Sequence, residues 1–238
     1  MSGVDPRGGH RLSIVVPVYN ESRTVVAVVD RLLAIDLPVP REIVVVNDGS
    51  TDGTRAALDG MAPRPGLVQI VHQAHNAGKG SAIRTGFARA SGTIIAIQDA
   101  DLELDPAQLK DLVQPILDGR SQAVYGSRFL AGRPAAPWIT IAANRFLTSL
   151  TNLLYGSRIT DMETCYKIMT ADLARSLDLE SNRFDIEPEI TAKLLRSGRH
   201  IVEVPVRFEP RSRAQGKKIG WHDGVRAIQV LLKYRFRR

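Results

Sequence analysis

Short apolar runs alternate with amphipathic helical stretches through the first half of this chain, and this alternation constrains the fold more than any other feature. The apolar runs are rich in β-branched residues and lie at 12–18, 42–47, 67–72 and 93–98. Helical periodicity fills the intervals between and after them, at 24–35, 54–61, 79–90 and 106–117. Near-continuous apolar strands are typical of a sheet that is covered on both faces. Strands and helices that alternate in this way predict an α/β fold, with a parallel sheet joined by right-handed crossovers.

The rhythm changes after Val124. The later elements are predicted as a long apolar helix at 138–155, a strand at 166–169, a helix that opens near Pro188, a strand at 200–204 and an amphipathic helix at 221–234. No internal repeat or linker divides the sequence. We therefore predict a flexible N-terminus at 1–10 and one domain at 11–210, with a mostly parallel central sheet flanked by helices. Residues 211–238 are predicted to form a basic loop and a C-terminal amphipathic basic helix.

Composition excludes several classes of protein. With 238 residues and 44% hydrophobic residues, the chain is globular and long enough to bury a core without disulfides. The single cysteine, Cys165, has no partner for an intramolecular disulfide, and its apolar surroundings favour a core position. The N-terminal residues lack the pattern of a signal peptide, and no stretch reaches the ~20 apolar residues of a membrane span. We therefore expect a cytoplasmic or peripheral protein.

The net charge of +7 is concentrated at one end. Residues 183–238 contain 14 Lys and Arg against 6 Asp and Glu, whereas the first 182 residues contain 18 against 19. Such a basic region suits an anionic lipid surface, a phosphate-bearing substrate or nucleic acid, and it equally suits a solvated surface without a partner. No nucleic-acid-binding motif accompanies the charge, so we expect no nucleic-acid partner.

An acidic cluster follows the fourth apolar run. Asp99, Asp101 and Glu103 alternate along the chain directly after it, and ligands of open parallel sheets bind at the carboxyl ends of the strands. Three converging carboxylates need a counter-charge, which a hard divalent cation such as Mg²⁺ or Mn²⁺ supplies. The alternative is a solvated acidic loop in which Asp105 caps the next helix.

Two further polar loops follow the first and second apolar runs. Residues 17–22 combine a proline, an aromatic ring and a carboxylate, which suits contact with a nucleobase but also an ordinary turn with Ser22 as N-cap. Residues 47–54 are rich in Asp, Gly, Ser and Thr, which also suits Asx turns. Residues 76–81 include a Gly-Lys pair but lack the glycine spacing of a P-loop or a dinucleotide-binding loop, which excludes both motifs.

Together these loops resemble a known family. The segments PVYNES at 17–22, NDGSTDGT at 47–54, GKGS at 78–81 and QDADLE at 98–103 have the order and spacing of the inverting GT-A glycosyltransferases of family 2. The segments YGSRF at 125–129, TDMETCYK at 160–167 and EVP at 203–205 are similar to those of the dolichol- and polyprenol-phosphate sugar synthases. This resemblance covers residues 12–218 and implies a Rossmann-like GT-A fold and metal-dependent hexose transfer from a nucleotide sugar to a lipid phosphate.

The resemblance also implies roles for individual residues. The nucleotide sugar is assigned to Pro17, Tyr19, Glu21, Asp48, Lys79 and Asp99. The metal and diphosphate are assigned to Asp99, Asp101 and Glu103, and phosphates to Arg128, Arg211 and Lys218, the last on a mobile basic loop. This sequence departs from the family at Asn47, where relatives often have Asp, at Glu103, where many have Gln, and in the absence of the C-terminal membrane spans that many relatives carry.

The acceptor decides which catalytic groups the transfer needs. The leaving nucleoside diphosphate develops negative charge, which a divalent cation, Arg or Lys stabilises. A hydroxyl acceptor needs a carboxylate base, for which Asp161 and Glu187 are the candidates, although we favour structural roles for both. A phosphate monoester is already ionised at pH 7 and needs cations instead, and the basic segment, residues 211–218, supplies them.

We therefore expect transfer of mannose, or next glucose, from GDP-mannose or UDP-glucose to polyprenyl or dolichyl phosphate at the cytoplasmic face of a membrane. The helix at 138–155 and the C-terminal basic helix are expected to lie on an anionic membrane surface, and a separate membrane-anchoring protein is a further candidate partner. The alternatives are a GT-A transferase with a soluble hydroxyl acceptor and a non-catalytic nucleotide-sugar-binding scaffold.

Overall fold

The computed structural model describes residues 9–65, 67–210 and 221–237, apart from the side chain of Trp221. The strands of this part are β1 (Leu12–Val18), β2 (Arg41–Asn47), β3 (Val68–His72), β4 (Ile94–Ile97), β5 (Ala123–Ser127), β6 (Lys167–Thr170) and β7 (Ile201–Pro205). The helices are α1 (Val25–Ala34), α2 (Thr54–Asp59), α3 (Lys79–Arg89), α4 (Leu109–Leu117), α5 (Trp138–Tyr155), α6 (Ala171–Ser176), α7 (Ile186–Arg196) and α8 (Trp221–Phe236).

The strands form one sheet in the order β3-β2-β1-β4-β6-β5-β7. β1 pairs in parallel with both β2 and β4, and β5 pairs in parallel with β7. β6 runs antiparallel to its two neighbours, β4 and β5. The predicted α/β fold with a mostly parallel central sheet is therefore confirmed.

Both faces of the sheet are covered, which explains the near-continuous apolar runs of the sequence. Ile14 and Val16 of β1 pack into a core with α1 and α4, whereas Val15 packs into the core on the opposite face, which contains residues of α3 and α7. All three side chains are fully buried. Because successive side chains of a strand point to opposite faces, a strand between two cores has no polar side.

Two elements of the second half are not among the predicted ones. β5 occupies residues 123–127 between β6 and β7, and the short helix α6 directly follows β6. The predicted helix at 106–117 begins as a 3₁₀ turn, Pro106–Gln108, and continues as α4. Asp105 accepts the backbone N–H of Ala107 at 3.0 Å, which confirms its predicted role as the cap.

α5 carries an apolar strip on its outer side. We call Trp138, Ile139, Phe146 and Leu153 the apolar face of α5, and their exposed fractions range from 59% to 82%. The inner side of α5 packs against α8, where the Tyr155 hydroxyl donates to the carbonyl of Leu231 at 2.7 Å. Within the described ranges, no helix combines the length and apolarity that crossing a bilayer requires.

Candidate active site

The sheet brings the predicted polar loops to one edge. We call this the carboxyl edge, the edge at which β1, β2, β4 and β5 end and at which β6, being antiparallel, begins. The loops after β1 and β2 therefore lie beside the acidic turn, residues 99–103, which follows β4. The loop at 156–166 reaches the same edge because it leads into the start of β6. The predicted grouping of these loops is confirmed by the strand order.

The loops after β1 and β2 are tied together by short polar contacts. The backbone N–H of Asn20 donates to the Ser50 hydroxyl at 2.9 Å, and the Asn20 side-chain oxygen accepts the backbone N–H of Thr51 at 2.8 Å. The backbone N–H of Glu21 donates to the Thr54 hydroxyl at 2.9 Å. The loop after β1 carries Tyr19 and Glu21, which with Pro17 are predicted to hold the nucleotide. These contacts tie that loop to the loop after β2.

Asp48 holds the turn that carries Lys79. Its two carboxylate oxygens accept the backbone N–H groups of Ala77 and Gly78, each at 2.8 Å. Burial raises the pKa of Asp48 and outweighs these two hydrogen bonds. Gly78 has φ +102°, and a Cβ atom added there would lie 2.3 Å from the carbonyl oxygen of Asn182, so the turn requires glycine. Asp48 therefore positions the start of α3, a role that the sequence did not predict.

Asn47, where relatives often have Asp, makes a structural contact. Its side-chain amide lies 3.0 Å from Nδ1 of His72 on the neighbouring strand β3. Its side-chain oxygen accepts the backbone N–H of Ser50 at 3.2 Å. The amide therefore braces the loop after β2 from the side of β3.

A chain of alternating charges crosses the site. Nζ of Lys79 lies 2.8 Å from Asp99 and 3.0 Å from Glu187, whose other oxygen lies 2.5 Å from Nζ of Lys167. Burial disfavours the charge on Lys79, but Asp99 and Glu187 outweigh it and raise its pKa. Burial likewise disfavours the charge on Glu187, but Lys167 and Lys79 outweigh it and lower its pKa. Glu187 is thus held as a buried carboxylate between two ammonium groups.

The acidic turn bends sharply between its two aspartates and Glu103. Leu102 has φ +62°, a left-handed conformation that non-glycine residues rarely adopt. Asp101 accepts the backbone N–H of Glu103 at 3.1 Å, and the carbonyl of Glu103 accepts the backbone N–H of Glu209 at 2.9 Å. Glu209, which precedes the basic segment in sequence, therefore lies beside this turn.

Asp99, Asp101 and Glu103 do not form a ready-made metal cage. Among the described residues, no group of three or more His, Cys, Asp or Glu side chains is arranged to hold a metal ion, and Asp99 is paired with Lys79. The donor set nevertheless fits a hard cation, because Mg²⁺ and Mn²⁺ prefer oxygen ligands and Mg²⁺ is usually held by one or two carboxylates together with substrate phosphates. Asp101, beside Asp99 in the partly exposed turn, can supply such a carboxylate.

Arg128 and Asp161 form a fork on the other side of the site. Nε and Nη2 of Arg128 each donate to the Asp161 carboxylate at 2.7 Å, and the Arg128 backbone N–H donates to it at 3.0 Å. Burial disfavours the charge on Arg128, but Asp161 outweighs it and raises the pKa of the guanidinium. Arg128 also stacks over the ring of Phe208 at 5.2 Å. Asp161, proposed from the sequence as a base for a hydroxyl acceptor, is thus engaged by a cation.

Glu203 of β7 holds the 156–166 loop from behind. Its carboxylate accepts the backbone N–H groups of Thr160 and Asp161 at 2.8 to 3.0 Å and the Thr160 hydroxyl at 2.9 Å. Burial raises the pKa of Glu203 and outweighs those hydrogen bonds. Glu203 thereby fixes the position from which Asp161 receives Arg128.

Three residues of the site carried no role in the sequence interpretation: Glu163, Lys167 and Glu203. All three belong to the segments TDMETCYK and EVP quoted above. The charged residues that cluster just before and within these strands are the sequence signal that could have identified them. Arg211 and Lys218, predicted to bind phosphates, lie outside the described residues. Cys165 is a buried free thiol whose pKa is raised by burial, consistent with its predicted core position.

The arrangement divides into two halves with different chemistry. The loops after β1, β2 and β4 offer an aromatic ring, carboxylates and Lys79 to a ligand that carries a base and phosphates. The end of β5 and the start of β6 carry Arg128 and the fully buried Lys167, each of them held by a carboxylate. A site with this composition suits phosphate-bearing ligands.

Comparison with known proteins identifies relatives along most of this chain. The family model of Glycosyl transferase family 2 matches residues 13–177. The polyprenol monophosphomannose synthase of Mycolicibacterium smegmatis is 29% identical over 231 residues, which cover 92% of this chain and 86% of that protein. Glycosyltransferase AglD of Haloferax volcanii is 30% identical over 210 residues, which cover 85% of this chain but only 34% of AglD, so the chain spans about a third of that relative.

Solved structures share the fold. Glucosyl-3-phosphoglycerate synthase from Mycobacterium tuberculosis, determined in complex with Mn²⁺, uridine diphosphate and glucosyl-3-phosphoglycerate, superposes with a TM-score of 0.71. The match covers 95% of this chain and 80% of that one at 20% sequence identity. The likeness is therefore one of architecture, and it agrees with the expected GT-A fold.

Proposed function

This chain belongs to glycosyl transferase family 2 and is a glycosyltransferase, and we propose that it moves a hexose from a nucleoside diphosphate sugar to polyprenyl phosphate with inversion at the anomeric carbon. The donors that we propose are GDP-mannose first and UDP-glucose second. The proposal is supported by the polyprenol-phosphate mannose synthase that matches over 92% of this chain, together with the two-halved site described above.

The half of the site formed by the loops after β1, β2 and β4 is proposed to hold the donor. Pro17, Tyr19 and Glu21 would contact the base. Asp48 would act mainly through the turn that it holds, because both of its oxygens already accept backbone N–H groups. Lys79 would leave or share its contact with Asp99 to neutralise the diphosphate as the leaving group gains charge.

Asp101, with Asp99 and Glu103, is proposed to hold a divalent cation, Mg²⁺ or Mn²⁺. When bound, such an ion neutralises the charge of the departing diphosphate. The residues of the chain hold Lys79 in position. Asp99 and Glu187 hold Lys79 on both sides, and Asp48 and Gly78 fix the turn from which it projects.

The observation that favours a phosphate acceptor over a hydroxyl is the engagement of both predicted bases. Asp161 is taken up by the guanidinium of Arg128, and Glu187 by the ammonium groups of Lys79 and Lys167. A carboxylate held by cations is a weak proton acceptor, which disfavours the deprotonation that a hydroxyl needs. A phosphate monoester is ionised at pH 7 and needs cationic partners, which Arg128 and the basic segment with Arg211 and Lys218 would provide.

We propose that the enzyme works as a peripheral protein on the cytoplasmic face of a membrane. The apolar face of α5 exposes two aromatic and two aliphatic side chains along one side of an 18-residue helix. α8, which packs against α5, is basic at Arg226, Lys233 and Arg235, and Arg237 directly follows it. An apolar strip beside basic residues suits the interface of an anionic bilayer, where a polyprenyl chain stays in lipid while its phosphate reaches the site. A separate membrane-anchoring protein would strengthen that contact.

The direct test is transfer of labelled sugar by the purified full chain to polyprenyl phosphate in micelles. GDP-mannose and UDP-glucose are compared in parallel, with Mg²⁺, Mn²⁺ or EDTA. We expect an acid-labile labelled lipid that EDTA abolishes and that Asp101→Ala reduces by a factor of 10² or more, an order of magnitude typical for loss of transition-state charge stabilisation. Asp36→Ala, which changes a 93% exposed carboxylate outside the acidic turn, is the control and should leave transfer unchanged.

One outcome would overturn the proposal of a lipid acceptor. Absence of labelled lipid, together with metal-dependent release of nucleoside diphosphate in the presence of a soluble hydroxyl acceptor, would assign the enzyme to that second class of acceptor.

A further inference from the structure

Glu163 is a carboxyl group without an assigned partner in the middle of the charged site. It belongs to the 156–166 loop, two residues after Asp161 and four before Lys167. Its Oε1 atom is buried and accepts or donates no hydrogen bond among the described residues. Buried polar atoms are almost always satisfied, so a carboxyl oxygen without a partner at this place is a candidate contact for a bound ligand.

The cations around Glu163 are already engaged by other carboxylates. The described part of the site contains the cations Lys79, Arg128 and Lys167, and their ion-pair partners Asp99, Asp161 and Glu187. An ionised Glu163 would therefore add an uncompensated negative charge to a buried site, which is costly. The neutral carboxylic acid adds no charge to the site, and in that form Glu163 carries an O–H group that can donate a hydrogen bond.

We propose that Glu163, as a neutral acid, donates a hydrogen bond to the phosphate of the acceptor and thereby recognises a phosphate monoester beside Arg128. This inference rests on the proposed lipid-phosphate acceptor and names a residue that binds it. In the transfer, an oxygen of the acceptor phosphate forms the new bond to the anomeric carbon while the bond from that carbon to the donor diphosphate breaks. The electron pair leaves with the nucleoside diphosphate, and the proton stays on Glu163.

The surroundings of Glu163 support this protonation state. Burial raises its pKa to about 7, with Glu187 of α7 and Asp161 of its own loop adding to the rise. Lys167 of β6 and Arg128, which follows β5, oppose it. An approaching phosphate brings further negative charge and favours the neutral acid still more. Above about pH 7 Glu163 ionises in the empty site, and its charge then repels the phosphate that it would otherwise bind.

The test compares the pH dependence of the wild type with Glu163→Gln and Glu163→Ala, using polyprenyl phosphate in micelles between about pH 5.5 and pH 8.5. In the wild type, KM for the acceptor should rise about tenfold from pH 6 to pH 8.5, which is the size of one hydrogen bond to a charged group. Glu163→Gln keeps an N–H donor that does not titrate, so its KM should stay flat above pH 6.5 with kcat retained. Glu163→Ala should show a high KM throughout.

Controls separate this role from folding and from donor binding. KM for the nucleotide sugar should be the same in all three proteins, and thermal unfolding checks that the variants are folded. Glu180→Gln, at an exposed carboxylate bound to α8, should keep the wild-type pH profile. The rise in KM below about pH 6 that follows protonation of the acceptor phosphate should be common to every variant.

Two results would overturn the inference. One is a Glu163→Gln enzyme whose acceptor KM rises with pH as in the wild type. The other is loss of kcat in Glu163→Gln at unchanged KM, which would make the carboxylate a proton acceptor. Failure of the proposed function is distinguishable from both, because the wild type itself would then transfer no sugar to polyprenyl phosphate at any pH.

Discussion

Arg128 and Asp161 are joined by two parallel hydrogen bonds of 2.7 Å, in which Nε and Nη2 of the guanidinium meet the two oxygens of a fully buried carboxylate. The pair links the end of β5 to the 156–166 loop, and Glu203 of β7 fixes that loop from its other side. The half of the site formed by the end of β5 and the 156–166 loop is therefore held together by ion pairs and hydrogen bonds.

Asp161→Asn should destabilise the protein by about 3–5 kcal/mol, because it leaves the largely buried guanidinium of Arg128 without its counter-ion. Urea unfolding at pH 7 measures this. The matched control is Lys110→Met, which breaks an ion pair with Asp36 whose side chains are 56% and 93% exposed, and which should cost less than about 1 kcal/mol. Equal losses in the two variants would contradict the expected difference between buried and exposed pairs.

Gly78→Ala should lower both stability and kcat/KM for the donor, because a Cβ there meets the carbonyl of Asn182 and displaces the turn held by Asp48. Gly132→Ala is the control, since Gly132 has a comparable φ of +121° but no atom within 4 Å of the added Cβ. Both variants carry backbone strain of about 1–3 kcal/mol, and only Gly78→Ala adds a clash. Thermal unfolding and donor kinetics measured on both variants test this, and similar kinetics would refute it.

Glu187→Gln should cost about 3–5 kcal/mol at neutral pH, because it removes the charge between Lys79 and Lys167. The pKa of folded Glu187 lies below its ordinary value of 4.5. The ionised group therefore stabilises the fold above about pH 4.5, and this contribution is lost as the pH falls through the lowered pKa. The difference in unfolding free energy between wild type and variant should thus stay constant from pH 7 to about pH 4.5 and shrink below that pH.

The control for that experiment is Glu180→Gln. Glu180 also binds two cations, Lys233 and Arg237, but its side chain is 40% exposed. Its loss should cost less than about 1 kcal/mol, since exposed ion pairs contribute little. A larger effect for Glu180 than for Glu187 would mean that burial does not govern the stability of these pairs.

Phe146→Ser and Leu153→Ser, on the apolar face of α5, should each weaken binding to anionic vesicles about tenfold, because a buried Phe or Leu side chain contributes about 1.5–3 kcal/mol. Leu67→Ser is the control, as Leu67 is 44% exposed and lies before β3, away from α5. Co-sedimentation with vesicles measures the binding. Unchanged binding of both α5 variants would contradict a membrane role for this face.

The first half of the fold follows from the sequence because each strand between two cores is apolar throughout and each helix is amphipathic. β5 does not, since its residues Ala-Val-Tyr-Gly-Ser include a small polar residue and Gly126. Its strand conformation comes from pairing with β6 and β7, both of which follow it much later in the sequence. Tertiary pairing of this kind leaves no local signal.

The site, like the fold, could be predicted only in part from the sequence. The loops at the carboxyl ends and the acidic residues in them could be predicted from the strand pattern. The partners of those residues could not, because Lys167 reads in the sequence as an ordinary charged residue at the start of a strand. Only the fold reveals that its ammonium group reaches Glu187 in the interior. Likewise, nothing in the spacing of Asp48 and Gly78 indicates that the carboxylate accepts two backbone N–H groups.

The reversed direction of β6 has an evolutionary consequence. Because this strand enters the sheet at the carboxyl edge and leaves at the opposite one, the 156–166 loop approaches the site from a strand of opposite direction to those that carry the loops after β1, β2 and β4. The proposed donor and the proposed acceptor are thus served by loops of different strands. An exchange of this one loop between homologues, together with its partner Glu203, offers a route by which a shared donor site acquires a new acceptor.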